Sequence, residues 1–393
     1  MPGGQPLRKT HITAERPPFE RIALVLQGGG ALGAYQGGVY QALAEANLHP
    51  DWVAGISIGA INSALIAGNP PEKRVERLRE FWEIVSASPL GVPYLPWLKL
   101  EDEFAHTIIN QIRSLSILLF GAPGFFKVRQ PTPLLYPSMS PAAMSFYDTA
   151  PIKGTLEGLV DFDLINTGAT RFSVGAVNVR SGNFVYFDNT THRIGPEHVM
   201  ASGSLPSGFA ATEIEGEYYW DGGIVSNTPL QWILDGGPRQ DTLAFQVDLW
   251  SARGELPRNL MEVELRQKEI RFSSRTRAGT DHFKQMQMAR RTVAKLLEKL
   301  PKDLLQTPEA EMLAGQADDK VYNLIQLIYH AKNYEGSSKD YEFSRRTMNE
   351  HWKSGYNDAV RTLRHPEVLQ RPEGVDGVFT FDLAQQDRGA AVA

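Results

Sequence analysis

The sequence predicts an α/β fold, with a mostly parallel central sheet flanked by helices and a C-terminal helical extension. Three observations carry this reading. The continuous apolar run Ile22-Ala23-Leu24-Val25-Leu26 suits a central strand covered on both faces. Strand-like and helix-like segments alternate from Arg21 to about Trp250. Beyond Pro257 the chain turns into long charged segments at helical spacing, with few strand signals.

The elements follow in order. Residues 1–20 are polar, with scattered charge and prolines, and read as a disordered lead without the apolar core of a signal peptide. A domain over 21–257 begins with the strand Ile22–Leu26 and a helix over Ala34–Ala46 whose Val39, Leu43 and Ala46 share a stripe. Trp52–Ile56 is a second buried strand, and Ile58–Ala67 a second helix that ends at Gly68. Glu72–Val85 is a third helix, with Val75, Leu78, Trp82 and Val85 at helical spacing. Regularity breaks over about 88–150, where prolines at 89, 93, 96, 123, 131, 133, 137 and 141 surround the apolar Ile117-Leu118-Leu119-Phe120. This segment reads as an insertion with short helices over one end of the sheet. Arg171–Val179 and Asn183–Phe187 read as paired strands around a Ser181-Gly182 turn, and Leu243–Leu249 as a further strand. Residues 258–393 form a mainly helical region, with helices at Asn323–Tyr329 and Met348–Leu363.

Bulk properties narrow the function classes. A hydrophobic content of 42% and a charged content of 22% are those of an ordinary globular protein. The net charge of −5 gives no reason to expect nucleic acid. With no cysteine, disulfides, thiolate metal sites and cysteine nucleophiles are excluded. No uncharged apolar stretch is long enough to cross a bilayer, and a cytoplasmic location is expected. Arg266–Lys302 holds eleven Lys or Arg against Glu269, Asp281 and Glu298. Such a run is either a solvated helix face or a peripheral contact with an anionic membrane.

Two glycine motifs carry the chemistry. Gly55-Ile56-Ser57-Ile58-Gly59 stands between a strand and a helix, where a nucleophile elbow holds its serine on a sharp turn. Gly28-Gly29-Gly30-Ala31-Leu32-Gly33 follows the first strand and also fits a dinucleotide loop. That reading needs an acidic residue ending the second strand. Asp51 begins that strand instead, and Ser57 stands at its end. As a loop of free backbone donors facing Ser57, the same glycines make an oxyanion hole.

A serine needs a base. His192, His198 and His282 are candidates, the last matching a Ser…Asp…His order, though none sits in a distinctive turn. Asp221 ends the aromatic run Tyr218-Tyr219-Trp220 and precedes Gly222-Gly223, as an acid at a strand tip or an ordinary Asp-Gly turn.

Taken in order, Gly28–Gly33, Gly55–Gly59 and Asp221-Gly222-Gly223 resemble the motifs of the patatin-like phospholipases. The resemblance covers about Arg21 to Asp235, including Ala201-Ser202-Gly203-Ser204-Leu205-Pro206. It implies a patatin-like three-layer sandwich and a serine acyl hydrolase acting on lipid or acyl esters, with no metal or cofactor. Ser57 would be the nucleophile, Asp221 the base and proton donor, and Gly28, Gly29 and Gly30 the oxyanion hole. Gly33, Gly55, Gly59, Gly222 and Gly223 would be motif glycines. Burial beside Tyr219 and Trp220 is expected to raise the basicity of Asp221. The insertion at 88–150 then becomes a lid, an acyl-chain groove, or a small core of its own.

Overall fold

The run Arg21–Leu26 forms strand β1, and all six of its residues are buried. The structure, a computed model, describes residues 7–87, 103–138, 140–273, 276–331, 335–372 and 377–383. Within these residues the further strands are β2 (Trp52–Gly55), β3 (Lys127–Val128), β4 (Ser145–Asp148), β5 (Arg171–Asn178) and β6 (Phe184–Asp188). They continue with β7 (Ser207–Phe209), β8 (Thr212–Ile214), β9 (Glu217–Asp221), β10 (Thr242–Asp248), β11 (Tyr322–Ile328) and β12 (Val378–Phe381).

The central sheet runs β12-β11-β10-β1-β2-β5-β9-β8, with β6 also paired to β5. From β12 to β5 every neighbouring pair is parallel, and β6, β8 and β9 join antiparallel. Alternation along β1 assigns its two faces. Ile22, Leu24 and Leu26 pack in one core with helices Ala34–Glu45, Ile58–Ala67 and Pro71–Val85. Ala23 and Val25 pack in a second core with Ile233, Leu234 and Phe283, from helices Leu230–Asp235 and Thr276–Leu297. Helices therefore cover both faces, as a central strand without polar positions requires.

Two expectations change. The segment Asn323–Tyr329 is not a helix; it lies almost entirely in β11, paired in parallel with β10. A seven-residue apolar run has no decisive period, and pairing beside a buried strand settles it. With β12, also unforeseen, the region after residue 257 extends the central sheet as well as contributing helices. In the insertion, the described part holds one long helix, Glu103–Phe120, rather than only short ones. Residues 88–102 lie outside the described residues. β3 and β4 from the insertion join β7 in a separate three-stranded sheet.

The described part of the lead is tied down. Arg8 N–H donates to Arg364 O at 2.8 Å, and the Thr13 hydroxyl to Ala46 O at 2.6 Å. Helix Arg345–Leu363 lies along helix Ala34–Glu45, with the Trp352 ring against Gly37. Among the described residues no helix is long and apolar enough to cross a membrane.

Candidate active site

Register brings the motifs together. Leu26 of β1 pairs with Gly55 of β2, so the glycine loop and the elbow leave the sheet side by side. Gly55 pairs in turn with Val174 of β5, and Ala176 with Asp221 of β9. Asp221 thus ends its strand two residues further along the same edge.

Ser57 has φ +56° and ψ −122°, a conformation that non-glycine residues adopt rarely and at a cost of about 1–3 kcal/mol. Its surroundings hold it there. A Cβ on Gly55 would meet the Gly59 carbonyl, and one on Gly59 would meet the Leu26 carbonyl, so strand and helix cross in contact. Ser57 N–H donates to Ser202 Oγ at 3.1 Å, and Ser202 Oγ donates to Gly175 O at 2.7 Å. Ser57 also begins helix Ile58–Ala67, whose N-terminus carries a partial positive charge.

Asp221 is 2% exposed. Its carboxylate accepts Gly223 N–H at 2.7 Å, and the Ser57 hydroxyl, which shares its cavity, favours the charged form. Its own N–H donates to Ser204 O at 3.0 Å. Burial outweighs the influence of Ser57 and Gly223 and pushes its pKa up to about 6. Tyr219 and Trp220 directly precede it on β9.

In the glycine loop, Gly28 is already committed. Its N–H donates to Asn227 O at 3.3 Å, and its carbonyl accepts from Asn227 Nδ2 and Trp250 Nε1, each at 3.0 Å. A Cβ built on Gly28 would lie 3.1 Å from Ser57 Cβ, a measure of how near the loop passes. The N–H groups of Gly29 and Gly30 have no partner among the described residues. Gly30 has φ +56° and no room for a side chain, because a Cβ would meet the Asp340 carbonyl. Of the remaining motif glycines, Gly33 packs against Ile58 and Trp82, and Gly222 against the Gly175 carbonyl.

These groups share a cavity of about 270 Å³. Its walls include Phe125, Phe126 and Tyr147 from the insertion, Phe209 from β7, and Phe343 from the C-terminal region. Phe126 stands 5.4 Å from Phe209 and 4.9 Å from Tyr147, between ring centroids. The insertion therefore contributes an apolar wall to the serine's cavity. Lys268, Phe272 and Tyr341 line it from the C-terminal side.

No histidine lines this cavity among the described residues. His198 is buried against Phe187, accepts Gly195 N–H at 3.0 Å, and has its pKa lowered by that burial. His192 sits in the turn after β6, and His282 is exposed on helix Thr276–Leu297. Replacing His192 or His282 by alanine, or His198 by glutamine, is expected to keep ester hydrolysis within about threefold of the parent. A loss above 100-fold in any one would restore the triad.

Sequence reasoning missed Asn227, Trp250 and Gln27. Gln27 Oε1 accepts Leu249 N–H at 2.6 Å and Trp250 N–H at 2.9 Å, which seats the Trp250 ring on the loop. Nothing in the sequence marks these side chains, since each acts across more than 190 residues.

Comparison with known proteins gives the family. Residues 24–232 match the family model described as "Patatin-like phospholipase". The chain belongs to the patatin-like phospholipase family. A second model, described as "Patatin phospholipase", matches residues 270–374, so family resemblance extends into the C-terminal region. A putative patatin-like phospholipase domain-containing protein of Caenorhabditis elegans, M110.7, is 41% identical over 61 residues, 16% of this chain and 6% of that protein. Lysophospholipase nte1 of Aspergillus terreus is 49% identical over 57 residues, 14% of this chain and 4% of that protein. The chain thus spans a small fraction of the curated relatives it matches. Among solved structures, VipD of Legionella pneumophila aligns over 100% of this chain and 78% of its own, at 15% identity and TM-score 0.39. ExoU of Pseudomonas aeruginosa, solved in complex with SpcU, aligns over 69% and 56%, at 18% identity and TM-score 0.27.

Proposed function

We propose that this patatin-like protein is a serine acyl hydrolase cleaving fatty-acyl esters through a Ser57–Asp221 dyad. The observation that supports it most is the strained Ser57 sharing an apolar cavity with a buried carboxylate of raised basicity. Ser57 Oγ attacks the ester carbonyl while its proton passes to Asp221. The tetrahedral oxyanion is held by the N–H groups of Gly29 and Gly30, each typically worth about 3–4 kcal/mol to the transition state. Collapse expels the alcohol, which takes the proton from Asp221, and water then hydrolyses the acyl-enzyme by the same steps in reverse.

The walls support an acyl substrate. About 270 Å³ lies near the small end of ligand pockets, roughly 300–1,000 Å³, and suits one acyl chain among aromatic rings. Peripheral contact with an anionic lipid surface through 266–302 belongs to the same reading. It rests on fewer cations than the sequence count, because Arg266, Lys268 and Arg291 bond within the chain. A fluorophosphonate probe, with peptide mapping of the adduct, tests the proposal. Labelling at Ser57, together with turnover of phospholipid, acylglycerol or nitrophenyl esters, supports it. A protein that stays unlabelled and turns over no ester is a lipid-binding module instead.

A further inference from the structure

Residues beyond the span 24–232 reach the glycine loop directly. The Asp340 carbonyl accepts Ala31 N–H at 2.7 Å and lies against Gly30 Cα. The Asp340 carboxylate takes Lys268 Nζ at 2.6 Å. Its neighbour Lys339, buried to 4% exposure, pairs with Glu269 at 2.7 Å. Two consecutive residues of one turn are therefore bolted to two consecutive residues of helix Leu260–Phe272. The C-terminal residue of that helix, Phe272, gives its carbonyl to Asn227 Nδ2 at 2.8 Å, and Asn227 holds Gly28. The loop is gripped at Gly28 and at Gly30–Ala31 from the same helix, with the unpaired N–H groups between the two grips.

We propose that the Lys268–Asp340 ion pair is a positioning device that aims the oxyanion donors. The pair touches no reacting atom; it fixes the carbonyl on which Ala31 and Gly30 rest. Its side chains are 29% and 20% exposed, so the pair is only partly screened by solvent. Lys268 also borders the cavity, where its ammonium lies 5.7 Å from the Trp250 ring and 5.5 Å from the Tyr341 ring. With Asp340 as its anion, that ammonium is already occupied. A donor displaced by a fraction of an ångström loses its grip on the transition state while ground-state binding persists.

The inference rests on the oxyanion reading above, and the experiment keeps the two apart. The unmodified protein is first labelled with fluorophosphonate; failure to label at Ser57 removes the proposed function itself. Given labelling, Asp340→Ala, Lys268→Gln and the double variant are compared for kcat, KM and labelling rate, with Lys268→Arg as the conservative control. The expected result is a fall of about tenfold or more in kcat and labelling rate for each single variant, with KM within about twofold. The double variant should be no worse than either single, because both remove one device. Lys268→Arg should recover most of the loss. Values of kcat within twofold of the parent in both singles overturn the proposal. So does a raised KM in Lys268→Gln with Asp340→Ala silent, which is the pattern of a head-group contact. If Asp340→Ala does not fold, Lys268→Gln with an unchanged melting temperature decides alone.

Discussion

Ser57→Ala and Asp221→Asn are each expected to lower ester turnover by roughly 10⁴-fold or more, with far-UV circular dichroism unchanged. The two losses have different origins. Alanine removes the attacking oxygen. Asparagine is nearly isosteric and still accepts Gly223 N–H, but it cannot take the serine proton. Combining the changes should cost little beyond either alone, since nucleophile and base act as one unit. Initial rates on a short nitrophenyl ester check all three variants, and an Asp221→Asn protein with parental turnover would sink the dyad.

The second large effect concerns pH. Asp221 must be ionised to accept a proton, and its pKa stands at about 6 rather than near 3.8. kcat/KM is therefore expected to fall about tenfold per unit as pH drops below 6. The same shift acts on stability in the opposite direction. A carboxyl with a raised folded pKa binds its proton more tightly folded than unfolded. Its stabilising contribution is full below the unfolded value of 3.8 and is lost as pH rises through about 6. At pH 8 the buried charge costs at most roughly 3 kcal/mol, the equivalent of about two pKa units. Asp221→Asn removes that charge, so it should melt a few degrees higher than the parent at pH 8 and gain about half as much at pH 5. Equal gains at both pH values, or a lower melting temperature at pH 8, would refute the assigned cause. Under the proposed mechanism, hydrolysis and stability are opposed in a single side chain.

Much of this architecture was legible because short-range rules govern it. The elbow at Gly55–Gly59 needs a strand before it and a helix after it, and both can be read between Trp52 and Ala67. The run Ile22–Leu26 lacks polar positions, which reveals a strand covered on both faces. Asp221 could be singled out because an acid followed by two glycines ends a strand-like run. What stayed hidden depends on distant partners. Tyr322–Ile328 is a strand because β10 offers it an edge, and nothing within its seven residues says so. The commitment of Gly28 N–H to Asn227, and the resting of Gly30 on Asp340, join residues hundreds apart. No local pattern encodes such pairings. The expected donor trio accordingly reduces to Gly29 and Gly30 as the groups left open.

The seating of Gly30–Ala31 on Asp340 has a bearing on biosynthesis. A nascent chain emerges from the ribosome with Ser57 first, Asp221 later, and the turn at 340 later still. The glycine loop therefore gains its support at Asp340 only after both Ser57 and Asp221 have been made. A chain made only as far as Asp221 carries the serine and the carboxylate without the carbonyl on which the loop rests.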